Sequence, residues 1–270
     1  MTSVPTKIGE FVQITREGKV ATVVFDRGHR TNALSSQAMR ELTQAAQMLD
    51  TEAGISTVVL TGRVDGFSAG ADLKDPEMAA RASLPLVEQR QALRLGPDMC
   101  RAWEKLEQIT ICAVEQFCIG GGVALAISCD IRISGEGAHF RLPEVPLGMN
   151  MSWNSNPRTV NLIGPAKAKI FTILGEPLAA PKAEQWGLVD EVVADGQALV
   201  SALALAERFS QVPDVPLRMT KQSINMTVQA LNLATSYMDR DQFALAAQSP
   251  EQAEAISSFL TSSNSNTQTK

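Results

Sequence analysis

The sequence predicts an α/β fold of repeated ββα units over residues 1–195, followed by a helical region over residues 196–260. Three observations carry this. Short β-branched runs, Thr57 to Leu60, Ile111 to Val114 and Ile131 to Ser134, alternate with segments of helical length, as in layered α/β architectures. From Gln197 to Leu260 one helical pattern follows another. The 270 residues are 44% hydrophobic and 20% charged, which suits one compact unit with a sizeable core.

The elements follow in order. Phe11 to Thr15 and Val20 to Phe25, joined across Glu17-Gly18-Lys19, read as a hairpin. Asp26 to Asn32 is turn chemistry. Ser35 or Ser36 then caps a helix whose Met39, Leu42, Ala46 and Leu49 share one stripe. After the strand at Thr57 comes a loop of small residues, Gly66 to Lys74. Asp75 to Leu95 is charged and bounded by Pro76 and Gly96-Pro97, and reads either as a mobile flap over a pocket or as an ordinary surface helix. Pro97 to Gln108 is a helix leading into the strand at Ile111. Gly120-Gly121-Gly122 opens an apolar helix, Val123 to Cys129, that should be buried on every face. Ala166 to Leu174 and Pro181 to Gly187 are helical, and Gly187 to Val193 returns to a strand. In the C-terminal region Leu199, Leu203 and Ala206, then Ile224, Val228 and Leu231, then Phe243 and Ala247 are expected to be buried. Thr261 to Lys270 is Ser/Thr/Asn-rich and expected to be disordered.

Two loops carry the chemistry. A triple glycine at a helix start leaves amide N–H groups unpaired and unshielded, at the end where the peptide dipoles place positive charge. Such a group can receive an oxygen anion, although close helix–sheet packing explains the same glycines. The Gly66 to Lys74 loop also follows a strand, and its small residues leave the Ala71 N–H open as a second donor. Downstream, Glu144 stands between Pro143 and Pro146 in apolar sequence, where burial raises a carboxyl pKa toward acid–base use.

Through Asn32-Ala33-Leu34-Ser35, the Phe67 to Lys74 loop, the triple glycine with Cys129-Asp130 behind it, Pro143-Glu144 and Gly187-Leu188-Val189-Asp190, the chain resembles the crotonase, or enoyl-CoA hydratase/isomerase, superfamily. The resemblance runs from about Val12 to about Phe259. It implies a crotonase-like spiral with a C-terminal trimerisation region, an acyl-CoA substrate, and an oxyanion hole made by the Ala71 and Gly121 amides. It further implies that carbonyls near Ala69, Ala71 and Leu73 recognise adenine, that Lys74 approaches the nucleotide, and that the loop with Arg27, His29 and Arg30 borders the CoA site. A solvated surface cluster explains those three side chains equally well. Asp72, Gly120 and Ala124 complete the expected substrate- and CoA-binding set, Met149, Met151 and Trp153 are expected to wall the acyl pocket, and Asn150 and Ser152 to recognise a polar group there. Glu144 matches the second glutamate of typical hydratases. Ala124 departs from the pattern, standing where those enzymes place the first.

Alanine handles no proton, so two-glutamate hydration is not supported. Double-bond isomerisation needs one base, and Glu144 suffices. The alternatives are a hydratase or hydratase-lyase working with one glutamate, and an acyl-CoA-binding protein without catalysis. The basic C-terminal segment common in the family is absent, which leaves open how the CoA 3'-phosphate is held. The resemblance implies a homotrimer or dimer of trimers.

The rest of the composition narrows the class. A net charge of -5 provides no basic field for nucleic acid or anionic membrane. His29 and His139 stand at no metal-ligand spacing, so neither a metal site nor a serine–histidine mechanism is expected. No cofactor is expected beyond coenzyme A in the substrate itself. Four unpaired cysteines, no secretion-signal layout in Met1 to Glu10 and no apolar run of about 18 residues predict a cytoplasmic protein.

Overall fold

The structure, a computed structural model, describes residues 4–265. Strand β1 (Thr6–Ile8) runs antiparallel to β2 (Val12–Glu17), and the chain turns back at Gly18 into β3 (Val20–Phe25). Alternation along β2 buries Val12 and Ile14 on one face. Ser35 caps α1 (Ser36–Asp50), its hydroxyl accepting from the Ala38 N–H at 3.2 Å, and the stripe Met39, Leu42, Ala46, Leu49 is buried as its spacing predicts. Then come β4 (Thr57–Thr61), two short helices α2 (Pro76–Ala80) and α3 (Leu86–Ala92) joined through a 3-10 turn, α4 (Leu95–Lys105) and β5 (Ile109–Val114).

The middle of the chain holds β6 (Phe117–Ile119), α5 (Gly121–Ala126), β7 (Ile131–Gly135), β8 (His139–Arg141) and α6 (Ser155–Leu174), which bends at Gly164 ahead of Pro165. The C-terminal part comprises β9 (Leu178–Ala179), α7 (Ala180–Trp186), β10 (Glu191–Val193), α8 (Ala198–Ser210), α9 (Asp214–Gln229), α10 (Asn232–Ser236), α11 (Asp239–Ala246) and α12 (Pro250–Ser265).

Seven strands form one sheet in the order β1-β2-β3-β4-β5-β7-β10, parallel from β3 onward, and β6-β8-β9 form a second, smaller sheet. The main core packs α1, α4 and α5 against β2, β3, β4 and β5, with Trp103 fully buried at its centre. A second core lies under α8.

Several expectations shift. The helix after the triple glycine starts at Gly121, not Val123, and ends by Ala126. The first half of α6 and strands β1, β6, β8 and β9 escape the sequence reading. Helix α8 faces the sheet with Ala198, Ala202 and Ala206, whereas Leu203 is exposed, because only alanines allow its backbone so close to Val59 and Ile111. Ile224, Val228, Leu231 and Ala247 are exposed on this chain, and Phe243 is half-buried. Helix α12 continues through Ser265, so helix replaces the first half of the tail expected to be disordered; residues 266–270 lie outside the described residues.

Asn32 ties the end of β3 to the Gly66 loop. It sits in the left-handed region at φ 41°, where asparagine is tolerated better than most residues. Its amide Nδ2 donates to the Phe25 and Phe67 carbonyls at 2.9 and 2.8 Å, and its Oδ1 accepts from the Arg27 N–H. Asn32→Ala strands two buried carbonyls, and chemical denaturation should show a loss of about 3 kcal/mol.

Candidate active site

Two strand ends and a bridged loop converge on one spot. Strand β6 pairs in parallel with β8, setting Ile119 opposite Arg141, and a parallel bridge joins Ser68 to Cys118. The segments that leave these positions therefore emerge side by side. They are the Gly70-Ala71 loop, Gly120-Gly121 and Leu142-Pro143-Glu144. The Gly120 N–H donates to the Arg141 carbonyl at 2.8 Å and locks the last two together.

The two loops leave their amides unspent. Neither the Ala71 nor the Gly121 N–H donates a hydrogen bond within the chain among the described residues, and both residues line one cavity. Their separation is set by contact between the loops, since a Cβ on Gly70 would lie 3.1 Å from the Gly121 nitrogen. The carbonyls of Ala69, Ala71 and Leu73 also accept nothing from within the chain, while neighbouring groups are fully used. The Leu34 N–H donates to the Gly70 carbonyl, and the Asp72 N–H to the Leu34 carbonyl.

Glu144 faces the same cavity. Its Oε1 approaches so closely that a Cβ on Gly120 would sit 2.8 Å from it. Its Oε2 is buried with no hydrogen-bond partner. Burial pushes the carboxyl up to about 7, against smaller opposing effects of its own backbone N–H and the Arg141 charge. A group with that pKa can both take and return a proton near neutral pH.

The cavity holds about 200 Å³. Met39, Leu73, Met78, Leu93, Met149, Met151 and Phe243 supply apolar wall, and Asn150, Ser152, Arg81 and Arg240 supply polar groups. The Trp153 indole lies against Gly96 and Gly121, where added Cβ atoms would fall 1.9 and 2.5 Å from its ring. Trp153 and Asn154 both adopt left-handed backbone, at φ 60° and 56°, in the turn that opens α6. Such strain persists only when neighbours hold it. Here the Arg158 Nη1 donates to the Trp153 carbonyl at 2.8 Å, Glu104 pairs with that guanidinium, and Asp239 of α11 accepts the Asn154 N–H at 2.9 Å.

Of the residues singled out from the sequence, Ala71, Leu73, Gly121, Glu144, Met149 and Trp153 line the cavity. Ala69 is half-buried in the Gly70 loop and is not part of the lining, and Gly120 is buried beneath Glu144. Ala124 does not reach the cavity. It is fully buried in the core, its N–H bonded to the Gly120 carbonyl. Arg30 and Lys74 are exposed, away from the cavity lining. Asp72 is committed internally, accepting from Arg27 Nη1 at 2.7 Å and from the Lys74 N–H. Arg27 also donates to the Ala33 carbonyl and lies over the Phe11 ring, so of the basic cluster it is the structural member. The charged Asp75 to Leu95 segment does cover the cavity, through Met78, Ala79, Arg81 and Leu93. Met39, Gly96, Arg81, Arg240 and Phe243 line the cavity without having been assigned to it individually from sequence; an arginine in a charged surface segment carries no mark that it turns inward.

No group of three or more His, Cys, Asp or Glu suited to a metal occurs among the described residues, no described helix is long and apolar enough to cross a membrane, and all four cysteines are free and buried.

A family model for enoyl-CoA hydratase/isomerase matches residues 15–267. The "Probable enoyl-CoA hydratase echA8" of Mycobacterium tuberculosis is 32% identical over 254 residues, covering 93% of this chain and 95% of that protein. A short-chain-enoyl-CoA hydratase of Clostridium acetobutylicum is 30% identical over 251 residues, covering 92% and 94%. Among solved structures, an enoyl-CoA hydratase from Bacillus halodurans superposes with a TM-score of 0.84 at 16% identity, covering 92% of this chain and all of that one, and so shares the fold. With sequence match and fold agreeing over nearly the whole length, this chain belongs to the enoyl-CoA hydratase/isomerase, or crotonase, family.

Proposed function

We propose that this chain is an acyl-CoA-processing enzyme that moves the double bond of an enoyl-CoA from the β,γ to the α,β position. The thioester carbonyl oxygen sits between the Ala71 and Gly121 amides. The Glu144 carboxylate removes a proton from the α carbon, electron density shifts onto the carbonyl oxygen, and the two N–H groups meet the charge as it grows. Glu144 then returns the proton at the γ carbon, and the carboxylate is restored. Fixed donors of this kind are worth roughly 3 kcal/mol each in the transition state. The carbonyls of Ala69, Ala71 and Leu73 are free to receive the adenine amino group, and Lys74 and Arg30 are exposed cations for the nucleotide phosphates.

One observation carries the reading. A single carboxyl with an unpartnered buried oxygen faces two unspent amides, while Ala124, where a second carboxylate would serve hydration, is sealed in the core. The names of the relatives favour a second reading, hydration with one glutamate, in which Asn150 or Ser152 holds the water. Incubation with a β,γ-enoyl-CoA and with its α,β isomer separates the two. We expect ultraviolet absorbance to rise with the conjugated product and no change of mass; a gain of one water from the α,β substrate replaces isomerisation by hydration. The exposed Met219, Ile224, Met226, Val228, Leu231 and Leu233 on and after α9 leave apolar side chains open to subunit contact, in keeping with a homotrimer or a dimer of trimers.

A further inference from the structure

The cavity that holds Glu144 also receives two guanidinium side chains, Arg81 from the turn after α2 and Arg240 from α11. Neither has an ion-pair partner among the described residues. The Arg81 side chain donates Nε to the Met78 carbonyl at 3.2 Å and makes no other hydrogen bond among the described residues, and the Arg240 side chain makes none. The acids around them are engaged elsewhere. Asp75 caps α2 and accepts the Ser36 N–H, Glu77 pairs with Arg40, Asp241 with Arg90, and Asp239 accepts from Asn154.

Among the described residues Glu144 is the only carboxylate on the cavity wall, and with its pKa near 7 it offers at most part of one negative charge at neutral pH. Burial also pushes the Arg81 pKa down, the mark of a cation whose water has been removed without full compensation. The remaining lining is largely apolar and includes Met78, Leu93, Met149 and Phe243. Asp75 and Glu77 act on Arg81, and Asp241 on Arg240, only without a direct ion pair, so a methyl-ended acyl chain would fill the cavity and leave both guanidiniums without a contacting counter-charge, which is costly where water is displaced. A carboxylate at the far end of the chain would pair with them, and the planar guanidinium fork suits it. The Arg90–Asp241 ion pair ties α3, the helix that follows the turn carrying Arg81, to α11, which carries Arg240.

Resting on the acyl-CoA reading above, the geometry points to a substrate whose acyl group ends in a free carboxylate, a dicarboxylic acid joined to coenzyme A at one end, with Arg81 and Arg240 receiving the other. The phosphates of coenzyme A share this anionic chemistry, and the test separates the two sources. Calorimetric titration with hexanoyl-CoA and adipoyl-CoA compares a methyl with a carboxylate on the same six-carbon chain, and both are saturated, so binding is read without turnover. We expect adipoyl-CoA to bind at least about tenfold more tightly, and Arg240→Met and Arg81→Met each to remove most of that preference while hexanoyl-CoA affinity stays within about twofold. Equal binding of the two thioesters to the wild-type protein overturns the inference without reference to any variant. So does a parallel loss for both thioesters in the variants, which assigns the guanidiniums to the CoA phosphates. A preference for adipoyl-CoA in a protein that turns over no enoyl-CoA leaves this inference standing and defeats the catalytic one.

Discussion

Glu144→Gln is expected to lower kcat by at least about a hundredfold while leaving the dissociation constant of a saturated acyl-CoA within a few-fold, because the amide keeps the shape of the side chain and loses the proton transfer. Single-turnover kinetics and calorimetric titration read the two quantities separately. Turnover that survives the substitution removes Glu144 from the mechanism.

The same variant reports the pKa. Burial raises the Glu144 carboxyl from its ordinary 4.5 to about 7, so the folded state favours the protonated form. Its contribution to stability is intact below about pH 4.5 and is lost as pH rises through 7, where the fold must hold a charge in a cavity with an unpartnered oxygen. That difference is worth up to about 3 kcal/mol. Glutamine does not titrate. Thermal unfolding should therefore favour Glu144→Gln over wild type progressively between pH 5 and pH 8, and a difference independent of pH excludes the raised pKa. Activity has the opposite slope, since the base is the carboxylate: kcat/KM should fall about tenfold per pH unit below 7.

Gly70→Ala is the second large effect. Gly70 has φ 86°, and a Cβ there would lie 2.7 Å from the Ile119 carbonyl oxygen as well as close to the Gly121 nitrogen. Both neighbours are backbone and cannot swing aside. The loops must separate, which moves the Ala71 and Gly121 amides apart and costs about 2 kcal/mol of stability from strain and clash. Loss of a paired oxyanion site should reduce kcat by about a hundredfold or more. Gly54→Ala is the control, since its added Cβ meets nothing within 4 Å and its backbone is not left-handed. If Gly70→Ala stays folded with kcat within about threefold of wild type, the two amides do not act together.

The parts of the fold legible in the sequence are those that local chemistry decides. The hairpin around Gly18 follows from β-branched alternation, and α1 follows from Ser35 and a stripe at helical spacing. The Gly70 loop, the triple glycine and the Pro143-bounded glutamate could be marked as site material because each breaks its local pattern. What escaped has distant partners. The turn that opens α6 has two left-handed residues held by Arg158 and Asp239, the latter on α11, so nothing near Trp153 announces it. On α8 Ala206 is buried as its spacing predicts, but the fully buried positions before it are Ala198 and Ala202 rather than Leu199 and Leu203, because leucines outweigh alanines in a periodicity argument while the sheet takes alanines at closest approach.

The sequence by itself determined the family, the paired loops and the lone glutamate, since these are carried by residue types in a fixed order. Tertiary structure alone decided that they meet, through strands β6 and β8 of three residues each, too short to show a period. It also decided that Ala124 is sealed in the core and that Arg81 and Arg240 share a cavity with Glu144. The reason is physical: a side chain's identity is written locally, but the water it loses and the charges it faces are set by segments far along the chain.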